Sequence, residues 1–234
     1  MGKKYSKNEI LEEIQDMGNF YKRKVVNYRG TTSDSKEYYT EVVAEWILKN
    51  IYLFDYIKPI TREKSYKVDS HDGKNKDNDS NREEEKIAMK LFDLSQNQGK
   101  VFDVIEKIID YQTPLKDIQT DKAGKIDLLA YNENEKTLRI LELKKIDSKE
   151  TMLRCVLEAY TYLKIVDKAK LLKDFGLAEN TKIKACPFVF YSGEQHQEMK
   201  EIKDSRKNLE KLIKKLGIEV IYLEEKDGEY SIKK

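Results

Sequence analysis

Apolar positions recur along this chain in two rhythms, one helical and one alternating, and a single stretch interrupts both. Residues 69–82, DSHDGKNKDNDSNR, contain no apolar residue. They cannot enter a core, so a loop or linker is expected there. Before it, helical spacing predicts helices near residues 7–26 and 36–53. In the second, Val42, Trp46, Ile47 and Leu53 fall on one stripe. An extended segment around 56–68 follows. After the interruption, helices are predicted at 83–97 and 101–109, then extended chain over 110–118. KIDLLAY (125–131) and TLRILELKK (137–145) read as strands. A helix at 149–166, a buried strand at 183–191, an amphipathic helix at 197–216 and a last strand at 218–225 complete the pattern. The helix at 197–216 carries Ile202, Leu209, Leu212, Ile213 and Leu216 on one stripe. Alternating strands and helices imply an α/β or α+β fold, with helices flanking a central mixed sheet. The expected organisation is a mainly helical N-terminal region (1–68), the polar loop (69–82) and a domain spanning 83–234.

Composition narrows the classes. Hydrophobic residues make up 39% and charged residues 38%, so a real core lies under a heavily charged surface. No apolar run approaches the length of a membrane span, and the opening MGKKYSKNEILEEI lacks the apolar stretch of a signal peptide. Cys155 and Cys186 sit in apolar surroundings and read as buried thiols of a reducing compartment. A cytoplasmic protein with no membrane partner is expected. His71 and His196 are too few for a histidine-rich metal site and read as incidental. The net charge of +2 decides nothing about nucleic acid, because clustering matters more than the sum.

The chemistry lies in the hairpin. If strands 125–131 and 137–145 close through a two-residue loop at Asn134-Glu135, Asp127 stands opposite Glu142. Opposed residues share one sheet face with Cβ atoms about 5 Å apart. Lys144 points to the same face about 7 Å further on. Two opposed carboxylates among Leu128, Leu129, Ile140, Leu141 and Leu143 repel each other and resist burial. A hard divalent cation resolves the conflict, since Mg²⁺ favours carboxylate oxygens and keeps several waters. The competing reading is a strand-end salt bridge. Glu-x-Lys triplets also occur at Glu84-Lys86, Glu198-Lys200, Glu201-Lys203 and Glu224-Lys226. Only 142–144 ends an apolar strand behind a hairpin with an acid in register.

Asp127, fourteen intervening residues and then Glu142-Leu143-Lys144 resemble the signature of the PD-(D/E)XK, or restriction-endonuclease-like, nucleases. That family's core of helix, three strands, helix and strand resembles residues 83–191, about half of the chain. Ile126 stands where the name has proline. The resemblance implies phosphodiester hydrolysis, usually of DNA, with Mg²⁺ (or Mn²⁺ in its place). It makes Asp127 and Glu142 the metal ligands and Lys144 the catalytic lysine. Many such enzymes form homodimers, although nothing here marks a dimer interface. The alternative within the resemblance is a catalytically silent module that binds nucleic acid or protein.

Relatives often carry a further glutamate on the first core helix. Glu84 falls near the centre of the stripe Ile87, Ala88, Leu91, Phe92 and Leu94, and Glu85 at its edge. Either could be a further ligand, or both could be acids favoured at a helix N-terminus. Arg154, Lys145 and Gln112 are candidate nucleic-acid contacts. Arg154 also suits an ordinary pair with Glu158 one turn on, and Lys145 points to the opposite strand face. The cations of 200–215 read as a solvated helix face. Tyr21-Lys22-Arg23-Lys24 and Tyr28-Arg29 mix aromatics with cations, a mixture that suits nucleic acid but is also common on surfaces.

Overall fold

The computed structural model describes residues 4–14, 20–73, 82–117 and 124–233. Its frame is a mixed six-stranded sheet whose spatial order follows the chain: β1 (Lys107–Pro114), β2 (Lys125–Asn132), β3 (Thr137–Lys144), β4 (Lys182–Phe190), β5 (Ile221–Lys226) and β6 (Glu229–Lys233). β3, β4 and β5 run parallel, and the remaining pairs are antiparallel. The helices are α1 (Lys7–Ile14), α2 (Tyr39–Lys49), α3 (Glu83–Gln96), α4 (Met152–Ile165), α5 (Lys168–Asp174), α6 (Glu194–Lys200) and α7 (Lys207–Leu216). None of the described helices is long and apolar enough to cross a membrane.

Strand alternation divides the core. Leu128, Ala130, Leu141 and Leu143 meet Ala88, Leu91 and Phe92 of α3 on one face. Leu129, Leu138 and Ile140 meet Cys155, Val156 and Ala159 of α4 on the other. Every residue of β3 is buried, as its place between β2 and β4 requires. It even encloses Arg139, whose guanidinium is held by Glu135 at 2.6 Å and Glu219 at 2.9 Å.

The N-terminal region belongs to the same core. Ile10, Val42, Val43 and Ile47 are buried in one apolar cluster with the α4 face of the sheet, and α2 packs against α7. Glu41 of α2 accepts hydrogen bonds from Asn208 N (2.7 Å) and Leu209 N (2.9 Å), so α2 caps the first turn of α7.

Several elements differ from the pattern-based expectation. The helix expected at 7–26 is described over Lys7–Ile14; residues 15–19 lie outside the described residues. Short 3-10 helices at Phe20–Lys22 and Lys24–Asn27 follow, separated by the extended backbone of Arg23 (φ −67°, ψ 135°). α2 ends at Asn50 and gives way to a 3-10 helix, Ile51–Tyr56. The segment 57–68 joins no strand and instead crosses the end of α4, where Ile60 N donates to Ile165 O at 2.7 Å. The expected helix at 101–109 is a tight turn closed by Phe102 and Glu106, and β1 starts at Lys107. Val104 and Glu106 adopt positive φ (67° and 56°), which lets Phe102 and Ile105 enter one cluster from a turn. The expected helix at 197–216 is broken between α6 and α7, where Arg206 (φ −127°) lies over the Tyr38 ring at 4.2 Å. Residues 74–81 of the polar segment and residue 118 lie outside the described residues. His71, at that segment's described end, has a structural role: its Nδ1 is 2.6 Å from Asp110 Oδ1, and its ring stacks on Tyr111.

Candidate active site

The β2–β3 hairpin has the register that opposes Asp127 to Glu142. The pairs run from Asn132↔Thr137 to Leu128↔Leu141, and Lys136 N closes the turn on Glu133 O at 3.2 Å. At the next position the strands part and the Asp127 side chain takes over: Leu143 N donates to Asp127 Oδ2 at 2.9 Å. Gln112 approaches from β1, its Nε2 donating to Asp127 Oδ1 at 3.0 Å. β1 carries a bulge between Ile108 and Asp110, and Gln112 itself has φ 49°. Such irregularities re-aim side chains beside a sheet edge.

Glu142 and Lys144 lie on the same face, beneath α4, and are only 4% and 5% exposed. Lys144 Nζ is 2.9 Å from Glu142 Oε1, 3.0 Å from Glu158 Oε2 and 3.3 Å from Glu150 Oε2. Tyr162 donates its hydroxyl to Glu158 Oε1 at 3.3 Å. Arg154 does not pair with Glu158: its Nε lies 2.9 Å from Glu150 Oε1, one turn back. The reason is the inward position of Glu158, which serves the buried Lys144 ammonium instead. Glu142 Oε2 is buried and has no hydrogen-bond partner.

Of the two helix-borne acids, Glu84 turns to the sheet. Its Oε1 accepts from Lys145 N at 3.1 Å, whereas Glu85 lies 3.2 Å from Arg82. The Lys145 side chain reaches Glu83 at 2.7 Å and Asp147 at 3.2 Å. An open cleft of about 550 Å³ lies between Arg82, Glu84, Gln112, Lys125, Asp127 and Lys145.

The charges are strongly coupled. Burial, together with Glu84 and Glu158 nearby, raises Asp127 to about 7, although Lys144 opposes the shift. Burial and the Asp127 carboxylate push Glu142 well above the usual carboxylate range. Burial also raises Glu84. Burial alone would lower Lys144, but Glu142 and Glu158 outweigh it and hold the ammonium well above its ordinary value.

Residues that periodicity did not single out complete the surroundings. The loop carrying Glu150 is fixed by the N-terminal region. Arg29 donates to Lys149 O (2.8 Å) and Glu150 O (3.0 Å), and Asn27 Oδ1 accepts from Thr151 N (2.7 Å). Gln195 of α6 adds a bond to Glu150 O at 2.6 Å. Tyr21 meets Tyr162 edge-on, with ring centroids 6.0 Å apart. Gly124, three residues before Asp127, lets Tyr162 approach: a Cβ there would stand 2.0 Å from the hydroxyl oxygen. The sequence signal for this layer was the Glu158–Tyr162 spacing on the apolar side of α4.

A divalent cation can be tested against these donors. Among the described residues, no group of three or more His, Cys, Asp or Glu side chains is arranged to hold a metal ion. Mg²⁺, however, needs only one or two carboxylates, with waters filling the rest of its shell. Asp127 and Glu142, the latter with one oxygen unpartnered, are two carboxylates of the kind and number that Mg²⁺ takes. Set beside family models, curated proteins and solved structures, the chain matches none of them.

Proposed function

We propose that the chain is a metal-dependent nuclease of the PD-(D/E)XK type, hydrolysing phosphodiester bonds of DNA. One observation carries the reading: two opposed carboxylates and a lysine share one sheet face, with a buried carboxylate oxygen left unpartnered. A buried charge cluster without a stabilising purpose is a frequent mark of a functional site. The succession α3, β1, β2, β3, α4 and β4, with α5 inserted before β4, supports the family core. So do the helix-borne Glu84 at the cleft and the arrival of Gln112 at Asp127.

Asp127 and Glu142 would hold Mg²⁺, with Glu84 beside them. When bound, the cation supplies Lewis-acid stabilisation and a more acidic water. Lys144 acts as a charged donor: Glu142 and Glu158 keep it protonated, so it orients water or a phosphate oxygen and offsets developing negative charge. Glu158 and Glu150 position its ammonium, and Tyr162 positions Glu158. Lys145, Lys125 and Arg154 stand near enough to the cleft or the α4 start to meet backbone phosphates.

The test is cleavage of mixed DNA and RNA substrates with Mg²⁺ or Mn²⁺, comparing wild type with Asp127→Asn, Glu142→Gln and Lys144→Ala. Circular dichroism checks the fold of each. Wild type is expected to cut, and each folded variant to lose about 100-fold or more, the scale on which a single electrostatic donor acts. Cleavage that survives all three substitutions would place the reaction elsewhere. A wild type that cuts nothing, and binds no divalent ion more tightly than Asp127→Asn, would leave a silent binding module.

A further inference from the structure

Two of the large apolar side chains exposed among the described residues lie at one place. Ile146 is 53% and Tyr191 41% exposed. Both follow the carboxyl ends of the parallel strands β3 and β4, the edge at which α/β sheets receive ligands. The last β3–β4 pair is Lys144↔Val189, so Ile146 and Tyr191 each lie two residues past the same rung. Tyr191 keeps to the sheet, its N donating to Leu223 O at 2.9 Å. A Cβ on Gly193 would stand 3.5 Å from Ile146 O, which fixes the two turns side by side.

The Tyr191 ring is preset. His196 stacks behind it, with centroids 4.2 Å apart and planes 29° apart, and Tyr222 meets it edge-on at 6.2 Å. One side of the ring is therefore backed while much of the residue stays open to solvent. Lys149, three residues beyond Ile146, pairs with Glu194 at the surface, a kind of ion pair that contributes little. Two side chains fall far short of the roughly 800 Å² that each partner buries in a stable protein complex. They suit a single flat ring.

We infer that Tyr191, backed by His196 and flanked by Ile146, is a stacking platform for an unpaired nucleobase next to the phosphate held at Asp127, Glu142 and Lys144. This rests on the nuclease reading of that cluster, and it names the substrate class: nucleic acid with a single-stranded stretch. A base inside a duplex cannot offer its face to a protein ring, whereas a splayed base can.

The experiment uses the full chain with EDTA, so that binding is read without cutting. The probe is a short single-stranded DNA carrying a fluorescent purine analogue, and its blunt duplex is the control. Wild type is expected to quench the analogue and to bind the single strand more tightly than the duplex. Tyr191→Ala should weaken single-strand binding by about 5- to 100-fold, the range of one lost base stack. Tyr191→Phe should stay within about twofold, because stacking needs the ring and not the hydroxyl. Equal binding by wild type and Tyr191→Ala, equal affinity for strand and duplex, or no binding of either probe would overturn the platform. Adding Mg²⁺ separates the two ideas. Cleavage that needs Asp127 but ignores Tyr191→Ala keeps the nuclease and sinks the platform. Tyr191-dependent binding without cleavage keeps the platform and sinks the nuclease.

Discussion

Asp127 and Glu142 carry a proton in the folded chain over a range where the unfolded chain has lost it. The ordinary aspartate value is 3.8, and burial raises Asp127 to about 7. Across that window the folded state binds more protons than the unfolded state, so stability falls as pH rises through it. A divalent ion needs both carboxylates deprotonated, so its stabilisation grows over the same window. Thermal melts in EDTA are expected to fall from pH 5 to pH 8, and Mg²⁺ should restore most of the loss at pH 8 and little at pH 5. Asp127→Asn should make the EDTA profile shallower, with buried Glu142 still contributing, and abolish the Mg²⁺ response; a flat wild-type profile would refute the assignment. This pair was legible in the sequence because strand alternation is local and one polar turn sets the register. Glu150, Gly124 and Tyr21 were not. Their roles depend on how a loop and an N-terminal segment dock against α4, contacts between residues more than twenty positions apart.

Helix boundaries were legible where a helix is capped by its own neighbours and illegible where another element does the capping. Thr151 accepts from Arg154 N and opens α4 at Met152, within three residues of the start at 149 that spacing suggests. At α7 the residue before the helix, Arg206, makes no such bond, and the cap comes from Glu41 of α2, far away in the chain. Spacing alone therefore joined α6 and α7. Likewise Val101, Phe102, Ile105 and Ile108 have helical spacing, yet two residues at positive φ fold them into a turn before β1. Glu41→Ala should cost about 1–2 kcal/mol, typical of a lost helix cap. Glu41→Gln should cost less, because one acceptor remains. Chemical denaturation measures both, and a Glu41→Ala midpoint equal to wild type would show that the cap is dispensable.

The α/β class and a central sheet followed from the order of patterns, since strands pair in the order in which they occur, although β6, a short hairpin return after Gly228, was not expected. The union of residues 1–68 with that sheet did not, because an apolar stripe says that a helix is covered and not by what. Val42, Val43 and Ile47 show no accessible surface or almost none, and their cover is the α4 side of the molecule. Removing residues 1–68 in turn uncovers fully buried side chains of α4 and α7, at roughly 1.5–3 kcal/mol each, against a total stability of about 5–15 kcal/mol. A chain starting at residue 69 is thus expected to be unfolded or aggregated by circular dichroism and size-exclusion chromatography. A monomeric, cooperatively melting fragment would show the sheet to be self-sufficient.

The packing of α2 on α7 also orders events in time. A ribosome makes α2 long before α7, so the apolar side that α7 will cover travels exposed through nearly the whole of synthesis. The first four strands can pair as they emerge, but this closure joins residues some 167 positions apart and must wait for α7. Between those moments the nascent chain presents Val42 and Val43 to whatever surrounds it. Shielding that one helix until α7 arrives is then a separate demand on the cell from the strength of the finished fold.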